Sequence, residues 1–552
     1  MKTVIIGRPG TGKTTTLLNI ITEELDPRKT MFIAFSRKAI FEARMRAMEK
    51  YGLESSEIKY FRTLHSICFK LKGWKLDDCL KTSEIKEFFE KKHIRFIENI
   101  KFEEALESGV SFIAQDIEEL PDGNIILGIM DWIRHVYCKK ISRMEKDELK
   151  RILAKFFSER RPRFRNLLLR NLDYLADLIF EYEAFKGEKI DYTDTLILFL
   201  EDPVFDDEVE NLVVDEFQDL TPLMYKVVKF FESKTKNQFY AGDELQTIYS
   251  YMGSSPEFLI REYKSAEIKE TLRKSWRLPK DVCRIAEKMV EKYISKRIDI
   301  EIEPREEIGG IIKVESISPS LLKKLENEDV YFLHRTNAMK KVWKEKLISM
   351  GIRFKEMGIG KRIWTRTLDS IYSALLKIKR GEALSFTETL SLIEKIPSKP
   401  FLIRGVKAKL KRGEYRDFET GKLKESFTPE ELKRMFFSKD YGPEYILEHP
   451  EALKIEKIQL KALKNKLVMN PTPISDNCLI IGTIHSAKGG EADYVSLNCK
   501  LTRRLLKEIV SSPKRREEEA RVFYVGVTRT RGTLFLLNSS INPLFRFVIT
   551  TQ

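Results

Sequence analysis

The sequence predicts an α/β protein in which two parallel-sheet lobes are each interrupted by a mostly helical insert. Three observations carry this. Short β-branched runs recur in two stretches, each followed by turn residues and a helical pattern, the alternation that a parallel sheet covered by helices requires. A glycine loop stands between the first such run and the first helical pattern. The chain has 552 residues, more than one hydrophobic core holds, so about four domains are expected at ordinary domain sizes.

The first lobe is read over 1–71 and 191–267, with strands at 4–6, 31–35, 212–214 and 238–240. Between its halves, 72–190 is Lys/Glu-rich with helical periodicity and few strand signals. The second lobe is read over 268–359 and 475–552, with strands at 311–315, 330–334, 479–483, 494–497 and 533–537. Its insert, 360–474, has the same helical character as the first. The chain shows no repeats, no low-complexity tract and no long Gly/Ser linker.

Hydrophobic residues make up 42%, which predicts a globular fold. Lys and Arg number 99 against 84 Asp and Glu, a net charge of +15. Such an excess suits a polyanionic partner, because each cation set against a phosphate releases counterions; a soluble protein that is simply Lys-rich has the same balance. The six cysteines, Cys68, Cys79, Cys138, Cys283, Cys478 and Cys499, lack CxxC spacing and read as small buried residues in a reducing compartment. The short apolar run before the glycine loop is neither a signal peptide nor a membrane span, and no run of about twenty uncharged apolar residues occurs. A cytoplasmic protein without a membrane partner is expected.

Gly7-Arg8-Pro9-Gly10-Thr11-Gly12-Lys13-Thr14 matches the P-loop pattern, with a strand before it and a helix after it. Glycines let backbone N–H groups curl around phosphate oxygens, and the helix N-terminus adds partial positive charge. Lys13 is suited to the β- and γ-phosphates of a nucleotide, and the Thr14 hydroxyl to Mg²⁺. Val213-Val214-Asp215-Glu216-Phe217-Gln218-Asp219 ends a second strand. An acid at a strand's C-terminal edge, Asp215, is placed to hold Mg²⁺, and Glu216 beside it to take a proton from attacking water. A nucleotide and Mg²⁺ are therefore the expected ligands.

From here the chain resembles the UvrD/Rep family of superfamily 1 DNA helicases. After the P-loop come Ala34-Phe35-Ser36-Arg37-Lys38-Ala39 and Thr63-Leu64-His65-Ser66, similar to segments that grip the DNA backbone, then Asp191-Tyr192-Thr193-Asp194. Gly242-Asp243-Glu244-Leu245-Gln246-Thr247-Ile248-Tyr249 resembles the segment coupling nucleotide to DNA. The second lobe carries Ser275-Trp276-Arg277, His334-Arg335-Thr336-Asn337, Gly482-Thr483-Ile484-His485-Ser486-Ala487-Lys488-Gly489 and Tyr524-Val525-Gly526-Val527-Thr528-Arg529, in the family's order.

The resemblance implies two RecA-like P-loop NTPase motor domains. It implies that Gln246 senses the γ-phosphate, that Arg277 and Arg529 reach it from the second lobe, that Trp276 stacks on adenine and that Glu491 binds ribose. Thr15 and Arg37 join the P-loop residues in the nucleotide set. For DNA it implies backbone contacts from Lys38, Thr63, His65 and Thr483, ring contacts from Tyr249 and Tyr251, and a place for His485 on the same track. Two basic clusters, Arg160-Arg161-Pro162-Arg163-Phe164-Arg165 and the set Arg404, Lys407, Lys409, Lys411 and Arg412, read either as duplex-binding surfaces or as ordinary solvated faces.

The chain also departs from the family. The first strand begins almost at Met1, so the upstream segment whose glutamine reads adenine in many relatives is not expected. Leu64 stands where a stacking phenylalanine is common, Met252 replaces an arginine, and Gly490 interrupts a usually apolar position. No fused nuclease or partner-binding tail is expected after Gln552. The function so implied is an ATP-dependent DNA helicase or translocase, moving 3′ to 5′ on single-stranded DNA and unwinding duplex. Alternatives are a translocase that displaces proteins with little unwinding, and a nucleic-acid-binding protein whose NTPase acts as a switch. A P-loop kinase for a small metabolite is disfavoured by the two lobes and Arg529.

Overall fold

The computed structural model describes residues 1–35, 37–97, 120–160, 164–307, 309–314, 317–357, 362–417 and 420–546, with only the backbone of Arg37, Lys38 and Arg160. Strands β1 (Lys2–Gly7), β2 (Thr30–Ile33), β3 (Phe61–Arg62), β4 (Asn211–Val214), β5 (Asn237–Gly242) and β6 (Ile268–Leu272) form one sheet. Its order is β3-β2-β4-β5-β1-β6, and every pairing is parallel. Parallel strands buried on both faces need apolar residues at successive positions, and β1 and β4 supply them. Val4, Ile6, Met31, Ile33, Leu212, Val214 and Tyr240 face one core. Ile5, Phe32, Val213, Phe239 and Ala241 face the other. Helices Lys13–Glu23 and Arg37–Tyr51 cover the second face; Leu64–Leu71, Asp194–Glu201 and Pro222–Lys234 cover the first.

Strand β6 corrects the sequence reading, which opened the second lobe at 268. Ile268–Leu272 pairs with β1, from Thr3 opposite Ile268 to Gly7 opposite Leu272, and closes the first sheet. The chain crosses over only after Leu272. Strand β7 (Lys274–Pro279) pairs with β8 (Glu303–Arg305). Then β9 (Ile311–Val314), β10 (Val330–His334) and β11 (Lys355–Glu356) begin a second parallel sheet. After the short antiparallel pair β12 (Leu384–Ser385) and β13 (Ser426–Phe427), strands β14 (Leu479–Thr483), β15 (Ala492–Asn498) and β16 (Thr530–Leu537) complete it in the order β11-β14-β10-β15-β16-β9.

The helical segments differ in how they join their sheets. Helices Thr82–Lys91, Asp122–Tyr137, Lys146–Arg160 and Leu172–Lys186 build a core of their own around Phe88, Phe89, Ile129, Trp132, Phe156 and Ile179. Met252, the residue standing in place of an arginine, is buried in that core. A buried ionic network ties these helices to the first sheet. Arg134 lies 2.6 Å from Asp191, 3.2 Å from Asp194 and 2.7 Å from Asp131, and Lys186 lies 2.8 Å from Asp194. That network gives Asp191-Tyr192-Thr193-Asp194 a structural role. In the second half, helices Arg366–Arg380 and Lys457–Met469 share one continuous core with Phe332, Leu479 and Ile481 of the sheet. All six cysteines are free, and five are buried. No described helix is long and apolar enough to cross a membrane.

His334, at the end of β10, is fully buried, with Nδ1 3.2 Å from the side-chain amide of Asn498. Burial, helped by Lys340, pushes its pKa down to about 3. Below the unfolded value of 6.5 the unfolded imidazole takes a proton that the folded one refuses. Its stabilising contribution is therefore complete above that value and is lost as pH falls toward 3. The stability difference between wild type and His334→Asn is expected to shrink by roughly 1.4 kcal/mol per pH unit between about pH 6 and 4. Denaturant unfolding at a series of pH values checks this, and a constant difference would rule it out.

Candidate active site between the two sheets

The loop after β1 turns through Gly10 (φ 75°) and Gly12 (φ 87°) into helix Lys13–Glu23. No side chain caps that helix, so its first-turn N–H groups face the loop cavity. Lys13 is buried, and its Nζ donates to the Gly7 carbonyl at 2.7 Å. Burial pulls its pKa down against Asp243, Glu216 and Asp215, so an arriving anion would stabilise the ammonium. Thr11 Oγ1 donates to the Arg8 carbonyl at 2.8 Å, and Thr15 is exposed on the first turn.

At the end of β4 the Thr14 hydroxyl donates to Asp215 Oδ2 at 2.7 Å. The neighbouring carboxylates are pushed apart in pKa. Burial and then Glu216 raise Asp215 to about 6. Glu216 feels the same burial, but Lys488, Lys13 and the Gln218 amide hold it below its ordinary value. Glu216 also occupies the left-handed region, φ 52°, which a residue with a side chain adopts at a cost of roughly 1–3 kcal/mol where surrounding contacts enforce it. Gln218 supplies one such contact. Its amide donates to Glu216, while its oxygen accepts the Asp243 N–H at 2.9 Å.

The β7–β8 pair and the turns beside the second sheet close over this loop. Ser275 Oγ of β7 donates to the Pro9 carbonyl at 2.7 Å, and the Trp276 N–H to the Gly10 carbonyl at 2.8 Å. A Cβ added at Gly10 would fall 2.4 Å from the Arg277 Cβ, so glycine is required there for packing as well as for φ. Arg277 Nε lies 2.5 Å from Glu491. Arg529 is 2% exposed and donates from Nη2 to Gln246 Oε1 at 2.9 Å. Burial, then repulsion from Arg277, pushes Arg529 down to about 9. Trp276 is 68% exposed beside the loop, with the Lys274 ammonium 4.5 Å from its ring. Leu245 and Ile248, next to Gln246, insert into the core of the second sheet.

Most of the nucleotide set expected from the sequence thus converges: Lys13, Thr14, Asp215, Glu216, Gln246, Trp276, Arg277, Glu491 and Arg529. Arg8 contributes its backbone, since its guanidinium turns away to Asp243 and Glu244. Arg37 and Lys38 have side chains outside the described residues. Sequence reasoning gave Lys488 no role, yet it joins the two halves. Its Nζ lies 2.6 and 2.5 Å from the Asp219 carboxylate oxygens, 2.7 Å from the Gln246 carbonyl and 3.9 Å from Glu216.

The expected DNA contacts divide. Thr63 and His65, expected to contact the DNA backbone, are buried in this conformation. Thr63 caps helix Leu64–Leu71, and His65 stacks on Tyr192 at 3.9 Å. Tyr249, Tyr251 and His485 form a half-buried aromatic group, with His485 6.3 Å from Tyr249 and 5.9 Å from Tyr251. Thr483 is half-buried beside them and accepts a hydrogen bond from the Ser486 N–H at 3.2 Å. Next to this group lies a cleft of about 850 Å³, whose lining includes Tyr331, Lys355, Arg362, Arg366, Ser486 and Lys488. Sequence reasoning missed its cations; the signal was the basic character of 355–366.

Of the basic clusters, Arg161, Pro162, Arg163 and the Arg160 side chain lie outside the described residues, and Arg165 is exposed. In the second cluster Lys411 pairs with Glu394 at 3.0 Å and Arg412 with Glu414 at 3.1 Å, so acids distant or adjacent in sequence neutralise part of it.

Comparison with known proteins agrees with this geometry. Residues 1–267 match the family model for the UvrD/REP helicase N-terminal domain, and residues 443–540 that for the UvrD-like helicase C-terminal domain. The putative ATP-dependent DNA helicase YjcD of Bacillus subtilis is 22% identical, over 97% of this chain and 76% of that protein. The ATP-dependent DNA helicase UvrD2 of Mycobacterium tuberculosis is 25% identical over 66% of this chain and 54% of its own. The ATP-dependent DNA helicase Rep of Buchnera aphidicola is 26% identical over 46% of this chain and 35% of its own. Against the last two, the chain spans about half and about a third of the relative's length. With both domain families matched in order around a cleft built from both sheets, the chain belongs to the UvrD/Rep family of superfamily 1 helicases.

Proposed function

We propose that the chain is an ATP-driven DNA helicase that moves 3′ to 5′ along single-stranded DNA and unwinds duplex. On this reading the two parallel sheets are the cores of RecA-like motor domains, and the helical segments 72–190 and 360–474 are their inserts. The observation that carries it is the Arg529–Gln246 hydrogen bond of 2.9 Å, which joins residues of the two sheets beside Lys13 and Glu216. A triphosphate in that cleft would be held from both sides, so loss of its terminal phosphate would free the sheets to part, a ligand-biased two-state element.

Lys13 and the loop N–H groups bind phosphate oxygens. Trp276 offers its exposed face to the base, and Glu491 the ribose contact. Glu216, kept ionised, accepts the proton of the attacking water. Gln246, Arg277 and Arg529 stabilise charge on the transferred group. The Thr14 hydroxyl and the Asp215 carboxylate converge to 2.7 Å as hard oxygen donors, a set that fits Mg²⁺. The metal would neutralise phosphate charge there. The strand path takes Tyr249, Tyr251, His485 and Thr483, continuing into the cleft with Lys355, Arg362 and Arg366. Rings for bases beside cations for phosphates suit a single strand without sequence preference. The polarity rests on the resemblance of the segments around Lys488 and Arg529.

The test is the ATPase rate with no nucleic acid, single-stranded DNA, duplex DNA and RNA, beside strand displacement on duplexes with 3′ or 5′ tails. Single-stranded DNA is expected to stimulate most, and the 3′-tailed duplex to be opened. An ATPase indifferent to nucleic acid would defeat the motor reading in favour of a switch. DNA stimulation without strand displacement would favour a protein-displacing translocase.

A further inference from the structure

The geometry points to Arg8 as a positioning residue that sets the orientation of Gln246 through Asp243, and not as a phosphate ligand, within the nucleotide-hydrolysing cleft proposed above. Arg8 sits inside the phosphate loop, where a cation would ordinarily be read as a phosphate contact. Yet its side chain is 2% exposed, and both terminal nitrogens are engaged elsewhere. Nη1 donates to Asp243 Oδ1 at 2.7 Å and to Glu244 Oε1 at 2.9 Å, while Nη2 donates to the Ile298 carbonyl. The Ile298 N–H returns a bond to the same Glu244 oxygen at 2.9 Å. Only the Arg8 carbonyl faces the loop cavity, where it accepts from Thr11 and Lys13.

The consequence runs through Asp243. Its first oxygen is held by Arg8, and its second accepts the Gln246 amide N–H at 2.8 Å. A glutamine amide has a donor end and an acceptor end. With the donor end fixed on Asp243, Gln246 must present its oxygen outward, and Arg529 Nη2 binds that oxygen at 2.9 Å. The planar fork of a guanidinium holds several acceptors in fixed relative positions, which an ammonium on a flexible stem does not. Arg8 therefore links the phosphate loop to the γ-phosphate sensor and, through it, to the arginine from the second sheet. The Ile298 bond extends the link. That residue lies between helix Lys280–Tyr293 and β8, and it packs against the core of the first sheet.

The test compares Arg8→Lys, Gln246→Ala and the double variant in ATPase assays at saturating single-stranded DNA, with fluorescent ADP binding measured separately. Arg8→Lys keeps a buried cation beside the two acids. It is expected to lower kcat roughly tenfold or more, with ADP affinity within about threefold of wild type. The double variant is expected to be no more than about twofold below Gln246→Ala alone, because both changes break one chain. A roughly tenfold loss of ADP affinity, an unchanged kcat, or losses that multiply in the double variant would each overturn the assignment. Should Arg8→Lys melt early, Asp243→Asn breaks the chain one link later with little change of shape. It is expected to reproduce the kcat loss, and full activity in it overturns the proposal. A wild-type chain without DNA-stimulated hydrolysis sinks the functional reading and this one together; a wild type that hydrolyses beside an unaffected Arg8→Lys sinks this one alone.

Discussion

Glu216→Gln is expected to lower DNA-stimulated ATP hydrolysis by roughly 10²–10⁴-fold while leaving nucleotide affinity within about threefold of wild type. The two acids at the end of β4 are divided by their surroundings. Asp215 hydrogen-bonds the Thr14 hydroxyl and is raised to about 6 by burial and by its neighbour. Glu216 is held ionised by Lys488 and Lys13 despite its burial. At neutral pH both acids are largely ionised, so position divides the work: Asp215 is bonded to Thr14 where the metal would sit, and Glu216, placed beside it by a left-handed backbone, is the carboxylate left to accept a proton. A glutamine keeps the shape and still accepts from the Gln218 amide, but it cannot take a proton from water. It also removes a negative charge from beside Lys13, so phosphate binding does not suffer. Steady-state hydrolysis with single-stranded DNA, measured beside equilibrium nucleotide binding, checks both halves. Turnover near the wild-type rate would mean that another group activates the water.

What could be read from the sequence follows how local each feature is. The phosphate loop occupies consecutive residues, its strand precedes it and its helix follows, so residue type and spacing were enough. Strands β4, β10, β14 and β16 are apolar runs bounded by turns and were legible for the same reason. Residues 268–272 fall at the start of the second lobe in the sequence reading and are not read there as a strand, because they are exposed or half-buried, as an edge strand's are, and nothing in five such residues names a partner strand. Thr63 and His65 show the limit of a short motif. A hydroxyl and an imidazole suit a DNA backbone chemically, but whether they face it depends on Tyr192, far along the chain. Lys488 was missed for a related reason. Its acceptors Asp219 and Gln246 lie 269 and 242 residues away, so its role exists only after two sheets have formed and closed. Arg8 is the inverse case, in which position in the motif suggested one ligand and folding supplied others.

Arg529→Ala is expected to lower hydrolysis by roughly 10³–10⁵-fold, the range in which an arginine stabilising the transferred phosphoryl group acts. Arg529→Lys should lie between, because it keeps a charge without the guanidinium fork. The structure shows why this arginine is poised for an anion. It is 2% exposed, and its partners are neutral: the carbonyls of Val525 and Gly490, the Gln246 amide oxygen and the Thr528 hydroxyl. Among the described residues it forms no ion pair, and burial with Arg277 nearby pushes it down to about 9, which Glu216 offsets only in part. A buried cation with oriented but uncharged partners is a preorganised site for negative charge, and it needs no rearrangement when that charge develops. Thermal unfolding gives a second readout. A ligand that binds only the folded state stabilises it by mass action, and part of that binding comes from relieving the unpaired cation. In Arg529→Ala the rise in unfolding temperature caused by a non-hydrolysable ATP analogue should therefore shrink, while the ADP-induced rise, which lacks the terminal phosphate, should change little. Equal losses for the two nucleotides would show that Arg529 supports the cleft as a whole. A loss confined to the triphosphate places the arginine at the terminal phosphate, where the closing of the two sheets is decided.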